Sequence, residues 1–398
     1  MAKAARCSSG SLMRLGAVRD VVLARVPLEA HRALGQTCKE LRRLVYSDDF
    51  AKLRKALGLD EYGLLLLGGN EEGLYKIGSS LVCLTHNLKS LGFRAPETQH
   101  LELGDFTTAL STDGMLVICG DANPGERDVL VYDTREHALV EDLRFPDRLP
   151  LPMRGQCTAF LGDTLLAVAG GDRTDCETWA FSWDKESLWQ ELPPIPTGVF
   201  TPAYGVIGSR LFLVGGYTDD FAHAEHYGGI GMYDYTARLQ IFDMTRRTWS
   251  LGPPLDALKD REEEPTTAAV HDGRLYVFCQ RAMFEGSSNR IDNELRACSV
   301  HAYCFDPLSN SWSELPPLPF DALSELVTCV HDGRLVVVGT MNVDPDVYDH
   351  DLDPPSTYHY EWDDGAEMWK ERPLLIDDVD AWPQGWLGSL VSVPLRIR

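Results

Sequence analysis

The sequence predicts a mostly β protein, a six-bladed β-propeller preceded by a small all-α module, and three observations lead there. A phrase of apolar strand, aspartate turn, tryptophan and proline exit returns along the chain, fullest at Ser299–Pro319, SVHAYCFDPLSNSWSELPPLP. Its tryptophans Trp189, Trp249, Trp312 and Trp369 lie 60, 63 and 57 residues apart, a period that signals stacked supersecondary repeats rather than one folded core. Each copy also follows a pair of apolar runs separated by a Gly or Asp-Gly turn.

Within the phrase, Tyr303 and Phe305 alternate with Cys304 until Asp306-Pro307 stops the run, which predicts a strand entering a turn. Trp312 and Leu315 then form a short outer strand, and the proline run after them lacks the N–H groups that a ladder needs. Further copies are Ala180–Asp184 with Trp189, Leu239–Asp243 with Trp249, and Tyr358–Asp363 with Trp369. The preceding runs turn at Asp113-Gly114, Gly162-Asp163, Gly208-Ser209, Asp272-Gly273 and Asp332-Gly333, each a hairpin signal. Four antiparallel strands recurring every 50 to 60 residues or so make a propeller blade. A shorter copy at Tyr62–Gly69 and Leu81–Leu84 brings the blades to six. The last run, Trp386–Pro394, has no blade after it and is expected to pair into that incomplete first blade, because closing the ring removes exposed sheet edges.

Paired glycines ending the second strand, an aromatic-Asp pair ending the third and a tryptophan in the fourth together resemble the kelch repeat, over residues 61–398. The pattern departs at Thr340, where the second glycine is lost, at Cys279-Gln280, where both are, and in the second blade, which has no tryptophan.

Residues 1–13 are small and polar and predict a flexible tail. From there to residue 60 the apolar positions take helical spacing, and Asp48-Asp49 is placed to cap a helix that starts at Phe50 and ends at Gly58. Three or four short helices supply little core, so this module is expected to lean on a partner. The stretches Leu15–Pro27, Leu34–Leu44 and Ser47–Phe50 resemble an F-box, with Gly16 where proline is usual and Leu41 where tryptophan is usual. Their junction with the first blade is similar to that of plant-type F-box/kelch-repeat proteins. This resemblance implies a non-catalytic substrate-recognition subunit of an SCF-type ubiquitin ligase. Leu15, Val18, Val22, Val26, Pro27, Leu34, Cys38, Leu41 and Leu44 would then bind a Skp-type adaptor, and through it a cullin.

Charge separates the two parts. Residues 1–60 hold 12 Lys/Arg against 6 Asp/Glu, a net of +6, and residues 61–398 hold 25 against 54, a net of −29, within a total of −23. An acidic propeller repels phosphate backbones, which excludes nucleic acid as its partner and favours a protein substrate with basic surface. The alternative is that the charge serves solubility alone. No apolar run reaches the 18 residues of a membrane span, and no signal peptide is expected. The ten cysteines include no CxxC pair and several fall on strands, which predicts reduced thiols and a cytoplasmic or nuclear location.

Several side-chain groupings invite a chemical reading that their spacing does not support. His223 and His226 beside Asp219 and Asp220 lack the HExxH pattern, and Asp349, Asp351 and Asp353 precede Pro354 where a calcium loop needs glycine. His271 and His331 both precede an Asp-Gly-Arg-Leu turn, which favours a repeated structural role. The glycine pairs belong to neither phosphate-binding pattern and predict close backbone packing. No catalytic residue, metal site or cofactor is expected. The longest connections, Asp219–Thr236, Arg281–Cys298 and Met341–Ser356, all follow second strands and should share one face. No blade rule requires Tyr217, Phe221, Tyr227, Phe284, Arg290 or Asn342 within or beside them, so these are the candidate substrate-binding residues. The runner-up function is a kelch-propeller enzyme or metal-dependent specifier, which needs titratable or metal-ligating residues converging from several blades at the channel mouth.

Overall fold

In the computed structural model the described residues are 23, 25, 39–45, 50 and 53 of the N-terminal segment, and then 62–71, 77–83, 99–101, 106–120, 129–134, 138–140, 145–150, 156–169, 171–172, 175–176, 179–183, 189–218, 234–260, 263–285, 294–319, 326–340, 357–372 and 387–394. They form a mostly β protein, a β-propeller.

The propeller opens with β1 (Tyr62–Glu71), β2 (Ile77–Cys83) and β3 (Gln99–Leu101). A blade follows of β4 (Phe106–Leu110), β5 (Met115–Gly120), β6 (Val129–Asp133) and β7 (Ala138–Val140). The next has β8 (Cys157–Leu161), β9 (Thr164–Val168), a small hairpin of β10 (Gly171–Asp172) and β11 (Asp175–Cys176), then β12 (Ala180–Trp183) and β13 (Trp189–Glu191). The third has β14 (Ala203–Ile207), β15 (Arg210–Val214), a second small hairpin of β16 (Tyr217–Thr218) and β17 (Asp234–Tyr235), then β18 (Leu239–Asp243) and β19 (Thr248–Leu251). Two more blades are β20 (Glu263–His271), β21 (Arg274–Glu285), β22 (Glu294–Asp306), β23 (Ser311–Leu315), and β24 (Leu326–His331), β25 (Arg334–Thr340), β26 (Thr357–Asp363), β27 (Met368–Glu371). The last strand is β28 (Leu387–Pro394).

Five blades, not six, are built from consecutive strands. Among the described residues the first repeat supplies β1–β3 before the next begins, and β28 fills the remaining edge of β1, pairing antiparallel from Tyr62 opposite Pro394 to Gly68 opposite Leu387. The resulting sheet has the order β28-β1-β2-β3. First strands pack side by side around the ring, β4 on β8, β8 on β14, β14 on β20, β20 on β24, β24 on β28 and β28 on β4. The core lies between neighbouring sheets: Phe212 and Val214 of one blade meet Leu275, Val277 and Phe305 of the next, and Phe278 of that blade meets Tyr360, Trp362 and Trp369 of the one after.

Turn chemistry explains why the repeat keeps its residues. Asp272-Gly273 and Asp332-Gly333 turn with both residues at left-handed φ, 48° and 72°, then 48° and 69°, the conformation that a tight hairpin favours. At the turn between third and fourth strands, Asp243 Oδ1 accepts from the Arg246 N–H at 3.0 Å, Asp306 Oδ1 from Leu308 at 2.8 Å, and Asp363 Oδ1 from Gly365 and Ala366 at 2.9 and 3.0 Å. The recurring aspartate is therefore the residue that folds this turn onto itself.

Each repeat tryptophan clips its blade to the one before. The indole N–H of Trp189 donates to the Arg148 carbonyl at 2.9 Å, that of Trp249 to Pro193 at 2.8 Å, and those of Trp312 and Trp369 to Pro253 and Pro316 at 2.9 Å. All four carbonyls belong to the exit loop of the preceding blade. These rings stand on outermost strands, so they brace the blade edges and do not face the channel.

The expected all-α module at 14–60 is not supported. Its described residues include a helix, α1 (Lys39–Val45), and three further helical positions, Leu23, Phe50 and Leu53, with Phe50 buried and Leu23, Leu44 and Leu53 packed against it. A segment this short has too little apolar content to fix several helices alone. Leu15, Val18, Val22, Val26, Pro27, Leu34 and Cys38 lie outside the described residues, whereas Leu41 and Leu44 are half-buried on α1.

Candidate functional site

Second and third strands are joined on one face of the propeller, and Gly215-Gly216 lie on it at the end of β15. Both glycines take left-handed φ, 66° and 92°. A methyl group at Gly215 would collide with Pro265 of the next blade, and one at Gly216 would stand 2.8 Å from the Phe200 carbonyl oxygen. The pair thus permits a backbone approach that no larger residue allows. Directly after it, Tyr217 and Phe200 exchange backbone hydrogen bonds, both at 2.9 Å, and their rings lie 6.4 Å apart.

Beneath them lies a polar pin. Gln240 is fully buried, its Oε1 accepting from the Thr197 N–H at 2.8 Å and its Nε2 donating to the Thr197 carbonyl at 3.1 Å. Arg238 donates to the Thr197 hydroxyl. One side chain so satisfies both backbone groups of a loop residue and fixes the rim on which Phe200 and Tyr217 sit. Sequence reasoning missed Phe200, Thr197 and Gln240; the available signal was a glutamine inside the apolar run Leu239–Phe242.

Among the described residues the longest hairpin on this face is β21–β22, paired from Leu275 opposite Phe305 out to Glu285 opposite Glu294. It has seven more residues in its second strand than β15, a rise of about 20 Å at ~3.3 Å per residue. Of the six candidate substrate-binding residues, Tyr217 stands on the β16–β17 hairpin and Phe284 near the tip of β21, paired with Leu295. They belong to neighbouring blades. Phe221, Tyr227, Arg290 and Asn342 lie outside the described residues.

Groups described within the ring of first strands are packing and hydrogen-bonding groups. Thr107 Oγ1 donates to Thr158 Oγ1 at 2.7 Å, and the Tyr204 hydroxyl reaches the Thr108 carbonyl at 3.5 Å. Burial raises the Tyr204 phenol and the Cys157 and Cys329 thiols far above their ordinary values. They stay protonated at neutral pH, which is the inert form of a thiol.

His271 Nε2 lies 3.4 Å from Asp364 Oδ2 in the next blade, and His331 Nδ1 lies 3.1 Å from Ser392 Oγ on β28. Each histidine ties its blade to the following sheet, which is the repeated structural role that the shared turn motif predicts. Among the described residues no group of three or more His, Cys, Asp or Glu is placed to hold a metal, and no helix is long and apolar enough to cross a membrane. His223, His226, Asp219, Asp220, Asp349, Asp351 and Asp353 lie outside them.

No model of a known protein family matches the chain. No curated protein matches it either.

Proposed function

We propose that this protein is the substrate-recognition subunit of an SCF-type ubiquitin ligase. The F-box-like segment 14–60 docks a Skp-type adaptor and, through it, a cullin, while a kelch-type propeller, with the β28-β1-β2-β3 sheet as its sixth blade, holds the protein to be ubiquitinated. The chain itself carries out no chemistry and works in the cytoplasm, the nucleus or both.

One observation carries the reading. Phe50, which ends the F-box-like pattern, is 2% exposed and gathers Leu23, Leu44 and Leu53 around it, residues drawn from separate parts of a short basic segment. A module of this length supplies little core for independent stability, and a docked partner supplies apolar cover. The contrast of a +6 segment with a −29 propeller supports two modules with different partners.

The test is co-expression of the full chain with a Skp-type adaptor, followed by purification through a tag on the chain. The adaptor is expected to co-purify in fixed proportion and to be lost when residues 1–60 are removed. An adaptor that stays behind with the full chain overturns the proposal.

A further inference from the structure

We propose that the two turns of the β14–β19 blade on the face opposite the long connections bind a phosphate monoester, carried on a side chain of a partner protein. It goes beyond the ligase reading and does not depend on it, since it concerns the other face of the disc.

Charge singles the place out. Turns between first and second strands and between third and fourth strands share this face. In the β14–β19 blade, residues 207–210 and 243–248 hold Arg210, Arg246 and Arg247 against Asp243, a net of +2. The same turns of the next blade, 271–274 and 306–311, hold one arginine against two aspartates, and those of the blade after, 331–334 and 363–368, one arginine against four carboxylates. In the two preceding blades, 110–115 with 133–138 and 161–164 with 183–189 each hold one Lys or Arg against three carboxylates. One positive pair of turns therefore stands in a part of the chain whose net charge is −29.

Blade geometry does not ask for these arginines. Arg247 takes a left-handed φ of 53°, and the residues at the same place in the next two blades, Asn310 and Glu367, take 52° and 49°. Asparagine accepts that conformation more readily than a long side chain does, so the backbone supplies no reason for arginine. Arg246 likewise corresponds to Ser309 and Ala366.

The two turns are held together in advance. Thr245 Oγ1 donates to Ser209 Oγ at 3.4 Å, and the Met244 N–H donates to the Ser209 carbonyl at 3.0 Å. Arg210 Nε lies 3.4 Å from Asp243 Oδ2. The Arg246 N–H, with the Arg210 and Arg246 guanidinium groups, holds the Asp243 carboxyl below the usual carboxylate range. One carboxylate between two guanidinium groups leaves a positive surplus, and Arg247 adds to it. All three arginines are exposed, and neither Arg246 nor Arg247 makes an ion pair among the described residues.

A phosphate monoester carries about −1.5 to −2 at neutral pH and three strong acceptor oxygens. That matches a +2 site whose donors are guanidinium forks and hydroxyls, whereas a carboxylate brings about half the charge. A nucleic acid or an anionic membrane surface fits worse, because it would extend over the negative turns on either side.

The test uses the full chain and four probes: N-acetyl-phosphothreonine methylamide, its glutamate counterpart, inorganic phosphate and a single-stranded oligonucleotide, titrated against the arginine side-chain NMR signals. The phosphothreonine probe is expected to bind about tenfold more tightly than the glutamate probe, and at least as tightly as inorganic phosphate or the oligonucleotide. Its binding should weaken as salt is added and as pH falls through about 6, where the phosphate gives up its second charge. Arg246→Gln/Arg247→Gln should melt like the parent and lose the binding, whereas Lys259→Gln/Lys370→Gln removes the same charge elsewhere and should keep it. Arg247→Asn suits the left-handed backbone and should weaken binding severalfold with no loss of stability. Equal binding of the phosphothreonine and glutamate probes, tighter binding of inorganic phosphate or the oligonucleotide, or no binding at all overturns the proposal. So does binding that survives the arginine variants or falls equally in the lysine variant.

Discussion

Trp369 donates its indole N–H to the carbonyl of Pro316 at 2.9 Å, and 53 residues of chain separate the two. The same ring lies 5.0 Å from Trp362 in its own blade and 5.7 Å from Phe278 in the blade before. One residue thus joins the outer strand of one repeat to the exit loop and core of its neighbour.

Replacing it separates packing from hydrogen bonding. Trp369 is 5% exposed, so Trp369→Ala should destabilise the propeller by about 3–5 kcal/mol, whereas Trp369→Phe keeps an aromatic ring and removes the donor, at about 1 kcal/mol. The less buried Trp189 should cost less on the same change to alanine. Equilibrium unfolding in urea measures all three, and a Trp369→Ala variant that unfolds with the parent would sink the clip.

The repeat was legible where a side chain carries the geometry. Asp243, Asp306 and Asp363 each fold a turn through their own carboxylate, and the tryptophan six residues on is fixed by that turn, so the spacing survives in the sequence. Legibility fails where the backbone does the work. Arg148 occupies the place of Pro193, Pro253 and Pro316 because the clip uses only its carbonyl, which any residue offers. Phe145 meets Phe160 edge-on from a loop whose course no periodicity encodes. The three-strand first repeat left its partner to be inferred from ring closure, and the pairing of β1 with β28 depends on residues more than 300 positions apart. In the N-terminal segment most of the helical pattern lies outside the described residues, so only α1 and the Phe50 cluster can be set beside it.

Two glycines on different faces should respond differently to alanine. Gly208 takes a φ of 61° with open space around it, whereas Gly216 takes 92° with the Phe200 carbonyl oxygen, Val199 and Pro202 around the added methyl. Gly208→Ala should cost about 1–2 kcal/mol from its left-handed backbone, and Gly216→Ala more, because rigid backbone lies in the way. Paired unfolding curves check the order. Equal losses at both positions would remove the argument for close packing at the glycine pair.

His331 makes ring closure sensitive to acid. Burial lowers its pKa from the usual 6.5, while Asp332 and Glu361 pull the other way without cancelling the shift. Because the folded value lies below the unfolded one, the unfolded chain takes up a proton first as pH falls. Stability from this residue is therefore present above about pH 6.5 and declines below it until the folded value is passed. Thermal melts between pH 7.5 and 5 should show this slope, and His331→Gln should flatten it. A variant with the parent's slope assigns the dependence elsewhere.

On the proposed adaptor surface, Leu41 is half-buried on α1. Leu41→Asp places a charge on that surface and should abolish co-purification of the adaptor while leaving the propeller's melting transition unchanged. Retained co-purification counts against the surface, and a shifted transition shows that α1 also supports the disc.

The substrate face makes separate demands on rate and affinity. With −29 on residues 61–398, a basic partner should associate faster at low salt than at physiological salt, since a field of one sign acts mainly on encounter. Its dissociation should depend on a few aromatic or arginine anchors, with Tyr217 beside Phe200 and Phe284 on the tall β21–β22 hairpin as the two placed candidates and Arg290 as a third from the sequence. The combination Tyr217→Ala, Phe284→Ala and Arg290→Ala should therefore speed release with little change in association rate. Stopped-flow association and competition-based dissociation measure the two independently. A captured substrate that is acidic, or an on-rate that ignores salt, removes the electrostatic half. Unchanged release from the triple variant moves the binding surface off this face altogether.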